Sequence, residues 1–153
     1  MKRGKYEPGD VVELHRDGRF GYCRALMRDE FSVLFEIFDL VTETSVPLRI
    51  LTRSRPRRKA VSYVNEPSAK KAWRYVGNIP IDPMLDEIPL AFSGHPSFGW
   101  TIHEGGNEKR IPAKQTSFEE LLSRGFVSRT LWLAKNLEDC LFEGKELRWN
   151  WNP

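Results

Sequence analysis

The sequence predicts a β-rich α+β protein, a curved antiparallel sheet with one or two C-terminal helices packed on it. Three observations carry that expectation. An Asp17-Gly18 pair separates two strand-like runs near the start, strand signals recur through the first 111 residues, and helical spacing appears only after Ser117. At 153 residues the chain has the length of one domain, residues 1–153, with one core as the default.

Asp-Gly between alternating runs is the strongest short-range signal for a two-residue type I′ hairpin, and such a turn fixes the register. Arg16 then faces Arg19, His15 faces Phe20, Leu14 faces Gly21, Glu13 faces Tyr22 and Val12 faces Cys23. Alternation puts Val12, Leu14, Gly21, Cys23 and Ala25 on one side, small and apolar enough to meet a core. Glu13, His15, Phe20, Tyr22 and Arg24 take the other side, where Phe20 and Tyr22 are candidates for an exposed binding surface. A third strand is predicted over 32–38 from its β-branched and aromatic content, and three successive strands suggest a bent meander. Further strands are predicted at 48–52, 60–64, 73–76, 88–92 and 99–103. The last pairs through Glu104-Gly105-Gly106-Asn107 with 108–111 as a second hairpin, and Pro80, Pro83, Pro89 and Pro96 exclude a long helix between. Ser117 and Glu120 have capping-box spacing ahead of a short helix closed near Gly125. Thr130 can cap a second helix, in which Leu131, Ala134, Leu137 and Leu141 recur at spacings of three and four before Gly144.

Composition narrows the class. Hydrophobic residues at 40%, charged at 29% and aromatic at 12% describe a globular chain, too apolar for disorder and too charged for a membrane protein. The first thirty residues are dense in charge, leaving no room for the apolar stretch of a secretory signal, and a cytoplasmic protein with no membrane association is expected. Cys23 and Cys140, distant in sequence, are expected as buried free thiols. The net charge of +3 is unevenly spread: residues 1–48 carry −2, residues 49–74 carry +8 and residues 75–153 carry −3. Like charges in a block repel, so 53–59, with Arg53, Arg55, Arg57, Arg58 and Lys59, reads as a basic exposed loop, insertion or strand rim.

No catalytic pattern emerges from spacing. His15 and Cys23 fall on opposite faces of the first hairpin, so imidazole and thiol cannot meet, and Cys23 is expected in the core. His95 and His103 lack metal-ligand spacing and read as surface or loop histidines. The acidic doublets point their members apart, and no phosphate-binding glycine loop is present. The expectation is a protein that is no enzyme, with no metal and no cofactor.

Taken in order, Tyr6-x-x-Gly9-Asp10-Val-Val, the run Asp17-Gly-Arg-Phe-Gly-Tyr-Cys-Arg24, the strand 33–39, and Trp73-Arg-Tyr-Val-Gly77-Asn-Ile-Pro80 resemble the immunity protein 26 family of bacterial polymorphic toxin systems. The resemblance covers about two thirds of the chain and implies a small cytoplasmic β-rich protein that neutralises a cognate toxin by binding it, without catalysis. The +8 stretch and the Trp149/Trp151 tail depart from that pattern. Partner-binding candidates are Phe20, Tyr22 and Trp73 as aromatic anchors, with Arg53, Arg55, Arg57, Arg58 and Lys59 as steering charges. The opening also looks like the start of a small SH3-like barrel. The alternative expectation is a nucleic-acid-binding module, in which the basic 49–74 stretch neutralises phosphates and Tyr63, Trp73 and Tyr75 stack on bases.

Overall fold

A computed structural model describes residues 6–28, 32–52, 56–63, 73–84, 86, 88–104, 106–128 and 134–144, with the backbone alone at 32, 56–63, 134 and 136. The chain is β-rich α+β, as expected. It builds two compact units where length alone suggests one core: residues 1–86 with 131–153 form the first, and residues 87–130 the second.

The first unit is a five-stranded antiparallel sheet in the order β4-β3-β2-β1-β5, from β1 (Asp10–Arg16), β2 (Arg19–Arg28), β3 (Ser32–Thr42), β4 (Pro56–Tyr63) and β5 (Trp73–Asn78). It contains one helical turn, α1 (Leu48–Leu51), and a longer helix over Ala134–Glu143. Its opening hairpin has the register that Asp17-Gly18 dictates, Arg16 opposite Arg19 through Val12 opposite Cys23. Both turn residues have positive φ, 52° at Asp17 and 73° at Gly18, which is the backbone a type I′ turn demands. Among the described residues β4 and β5 are the two edges and do not pair with each other, so the barrel-like opening does not close.

Both faces of this sheet are covered. Val12, Leu14, Cys23, Ala25, Val33, Phe35, Ile37 and Trp73 cluster with Leu137, Cys140 and Phe142 of the C-terminal helix. The opposite face carries a second cluster of Val11, Tyr22, Phe38 and Leu51, with Phe20, Leu40, Val46, Leu48, Val76 and Ile79 against it. Gly21 permits the helix its close approach, since a Cβ there would stand 2.3 Å from Leu141 Cδ2. Arg16 and Arg19, which the register sets opposite each other, are reconciled by the helix. Arg16 binds Glu138 at 3.0 Å and Asp139 at 2.7 Å, while Arg19 donates to the Phe142 carbonyl at 3.2 Å near the negative end of the helix dipole.

The second unit is a four-stranded mixed sheet in the order β8-β7-β6-β9, from β6 (Ala91–His95), β7 (Gly99–Glu104), β8 (Asn107–Ile111) and β9 (Val127–Ser128). Helix α2 (Phe118–Ser123) belongs to it, and Phe92, Trp100 and Phe118 form its aromatic centre at centroid separations of 5.4 to 6.3 Å. Ser117 Oγ accepts from the Glu120 amide at 3.1 Å, and Gly125 at φ 90° ends the helix, as the capping signals predict. The helix α3 (Ala134–Glu143) of the first unit ends at Gly144 with φ 67°. The predicted cap at Thr130, the residue Leu131 and the Trp149/Trp151 tail lie outside the described residues.

Three expectations are corrected, and one strand is added to them. Residues 48–52 are not a strand but contain α1, because Pro47 pre-sets its φ at −70° and a single turn lets Leu48 and Leu51 face the outer cluster together. Strand β4 begins at Pro56 rather than 60, inside the basic run, drawn in by pairing with β3 that sets Lys59 opposite Glu36 and Arg58 opposite Ile37. Strand β6 begins at Ala91 rather than 88, beyond Pro89, which has no N–H to give a ladder. The two-residue strand β9, parallel to β6, is too short to leave a periodic signal.

Cβ addition at Gly18 would meet nothing within 4 Å, so the cost of replacing it is purely one of backbone conformation. Gly18→Val should lower stability by about 1–3 kcal/mol, whereas Gly18→Asn, tolerant of positive φ, should cost much less. Urea titration of both variants checks this, and equal losses would contradict it.

Candidate functional site: the outer face of the first sheet

Glu13, Tyr22 and Arg24 were set on one face by the hairpin register, and that face is the candidate site. It is not open. Tyr22 is 0% exposed, its ring in the outer cluster and its hydroxyl donating to Glu13 Oε2 at 2.7 Å while accepting the Val46 amide at 2.8 Å. Ser45 Oγ also donates to Glu13 Oε2, in a short contact, and Arg74 approaches Glu13 Oε1 with Nε at 3.1 Å and Nη2 at 2.9 Å. Burial opposes ionisation of Glu13, yet the hydrogen bonds from Ser45, Tyr22 and Arg74, with the charge of Arg74, outweigh it and hold the carboxyl below its ordinary range. Burial likewise pushes the Tyr22 phenol up. A carboxylate stabilised as the anion, with both oxygens already accepting, is a poor proton acceptor for chemistry. Its role is to satisfy a buried layer.

A second ionic knot lies on the same face. Buried Arg24 donates from Nε to Glu36 at 2.6 Å and from Nη2 to Asp86 at 2.7 Å, and Nη1 reaches the Ile79 carbonyl at 3.3 Å. Asp86 in turn accepts the Asp82 amide at 2.7 Å, so one guanidinium fastens the 79–86 segment to the sheet. No buried side-chain nitrogen or oxygen lacks a partner among the described residues.

The predicted anchors therefore separate. Phe20 is half-buried and stacks on exposed His15, centroids 4.6 Å apart and planes 19° from parallel. Tyr22 is internal, which corrects its placement on an exposed surface. Trp73 is also internal at 4% exposure, edge-on to Phe35 at 5.5 Å with Nε1 donating to Glu138 at 3.2 Å. The face opposite a sheet's main core is solvated only if nothing crosses it, and here the 43–51 connection with α1 does. Of the basic residues, Arg53 and Arg55 lie outside the described residues, while Arg57, Arg58 and Lys59 belong to the edge strand β4.

Cys23 and Cys140 are buried free thiols in the same core cluster, as expected. Burial first, then proximity to Cys140 and Glu36, pushes the Cys23 thiol far above its ordinary range, which leaves it unreactive. Among the described residues no group of three or more His, Cys, Asp or Glu could hold a metal ion, and no helix is long and apolar enough to cross a membrane.

One constellation was missed by sequence spacing. Ser93 Oγ lies 2.8 Å from His103 Nε2, and His103 Nδ1 lies 3.6 Å from Glu108 Oε1, on three neighbouring strands of the second unit. The hairpin through Gly105-Gly106 already sets His103 opposite Glu108 by counting, but Ser93 joins only once β6 is paired in register with β7.

No protein-family model, curated protein or solved structure matches the chain. The resemblance to immunity protein 26 rests on the motifs quoted above.

The depressed Glu13 carboxyl binds fewer protons in the folded than in the unfolded state. Its contribution is therefore full above the unfolded carboxylate range and is lost as pH falls through the lower folded value. Glu13→Gln should reduce stability at neutral pH and lessen the further loss between neutral pH and about pH 3. Urea midpoints across that range test it. Tyr22→Phe, which strands the Val46 amide, should cost about 1–3 kcal/mol.

Proposed function

We propose that the chain is a cytoplasmic immunity protein that binds one cognate bacterial toxin and neutralises it without catalysis. The observation that carries this reading is the position of the charge. The polar groups of the outer face are engaged with one another, whereas the +8 of residues 49–74 centres on a run whose described part, Pro56 onward, is the edge strand of a sheet. Among the described residues β4 pairs on one side alone, and an edge strand whose basic residues favour an acidic partner is suited to selective capture of a protein face. Arg53, Arg55, Arg57, Arg58 and Lys59 would raise the association rate by steering, and Phe20, half-exposed and stacked on exposed His15, would supply an apolar contact. Self-protection needs tight, selective binding and no turnover.

The nucleic-acid reading is weakened by the burial of Trp73, one of the three aromatics proposed to stack on bases.

Co-expression with a toxin encoded beside this gene should restore growth. Replacing Arg57 and Arg58 together by Glu, with Lys59 kept opposite Glu36, should slow association about tenfold or more in surface-binding kinetics, with an unchanged melting temperature. Failure to neutralise any neighbouring toxin would overturn the immunity reading. Unchanged kinetics in the charge-reversed variant would move the interface away from β4.

A further inference from the structure

The polar face of the second unit's sheet holds a chemistry that the binding reading does not use. Register sets two rows across β6, β7 and β8. Ser93, Thr101 and Arg110 form one, and Ala91, His103 and Glu108 form the next. Residues paired in register share a face, so all six stand opposite the aromatic centre built from Phe92, Trp100 and Phe118. The half-buried imidazole of His103 bridges the rows, 2.8 Å from Ser93 Oγ through Nε2 and 3.6 Å from Glu108 through Nδ1. This is the order a nucleophilic serine requires: hydroxyl, base within hydrogen-bond reach, and a carboxylate within ion-pair reach of the imidazole's other nitrogen.

We propose that Ser93, His103 and Glu108 form a nucleophile, base and orienting carboxylate that accept acyl groups from small activated esters. Ser93 Oγ bonds to the ester carbonyl carbon as its proton passes to His103 Nε2. The tetrahedral adduct then breaks its bond to the leaving alcohol, which takes that proton from His103. Water attacks the acyl-serine, gives a proton to His103, and releases the carboxylic acid as the proton returns to Ser93. Glu108 steadies the imidazolium formed in each half. Exposed Arg110, at Ser93's own level two strands away, is the cation placed to draw an ester with an acidic acyl portion. The site lies wholly in the second unit and does not rest on the immunity reading.

The test uses the full chain with a fluorophosphonate probe, whose phosphorus Ser93 Oγ would attack with loss of fluoride, and with p-nitrophenyl acetate followed by nitrophenolate release. Peptide mass spectrometry should place the adduct on Ser93. S93A should abolish both signals and H103Q should slow labelling about 100-fold or more. E108Q should slow it less, and S97A, on the adjoining turn, should leave it unchanged. Should H103Q fail to fold by circular dichroism, S93A and E108Q carry the test. No adduct at Ser93, or labelling as fast in E108Q and H103Q as in the parent chain, overturns the proposal. Neither result bears on toxin binding, which is measured separately.

Discussion

The register of the first hairpin is the constraint on which the larger unit depends. Two consecutive residues with positive φ, at Asp17 and Gly18, fix it, and the sheet is buried on both sides. A slip of one residue along β2 would drive Tyr22 and Arg24 into the cluster of Val12, Leu14 and Ile37, and Glu13 and Arg24 would lose the partners that make their burial tolerable. The same register brings Arg16 and Arg19 together, a repulsion that the acidic side of α3 turns into an attachment point. Turn chemistry, sheet pairing and helix docking thus select one arrangement together.

The two faces of that sheet are held by different physics. Toward α3 the contact is apolar and close, to the extent that Gly21 cannot carry a side chain without moving Leu141. Toward α1 it is a thin layer in which Tyr22, Glu13, Arg74 and Ser45 form one network and Arg24, Glu36 and Asp86 another. Buried ions contribute little net stability once desolvation is counted, but they are unforgiving about geometry. Their effect is to specify where the 43–51 and 79–86 segments lie, and a carboxylate so thoroughly satisfied has no capacity left for proton transfer.

What was legible in the sequence was local and periodic. The Asp17-Gly18 turn, the inward set Val12, Leu14, Cys23 and Ala25, the Ser117 cap and the helix stops at Gly125 and Gly144 follow from short-range rules and stand in the structure. What escaped depends on distant chain. Leu48 to Leu51 has strand-like composition and becomes helix because two leucines must cover Tyr22. Tyr22 and Trp73 read as anchors until the elements that bury them are known. Val127 and Ser128 carry no period, and Ser93 meets His103 only through strand pairing. The immunity reading came from ordered motifs, which physical rules alone would not have supplied.

Residues 87–130 interrupt the first unit, whose last helix comes from the chain beyond them. On a ribosome, the sheet's five strands emerge well before Leu137, Cys140 and Phe142 that complete its inner cluster. The nascent chain must present Val12, Leu14, Phe35 and Ile37 uncovered while about sixty further residues are made, a delay of several seconds at ordinary elongation rates. The inserted unit, by contrast, is contiguous and can close as soon as β9 appears. Order of synthesis therefore runs against order of completion, leaving a sticky intermediate whose lifetime is set by translation speed.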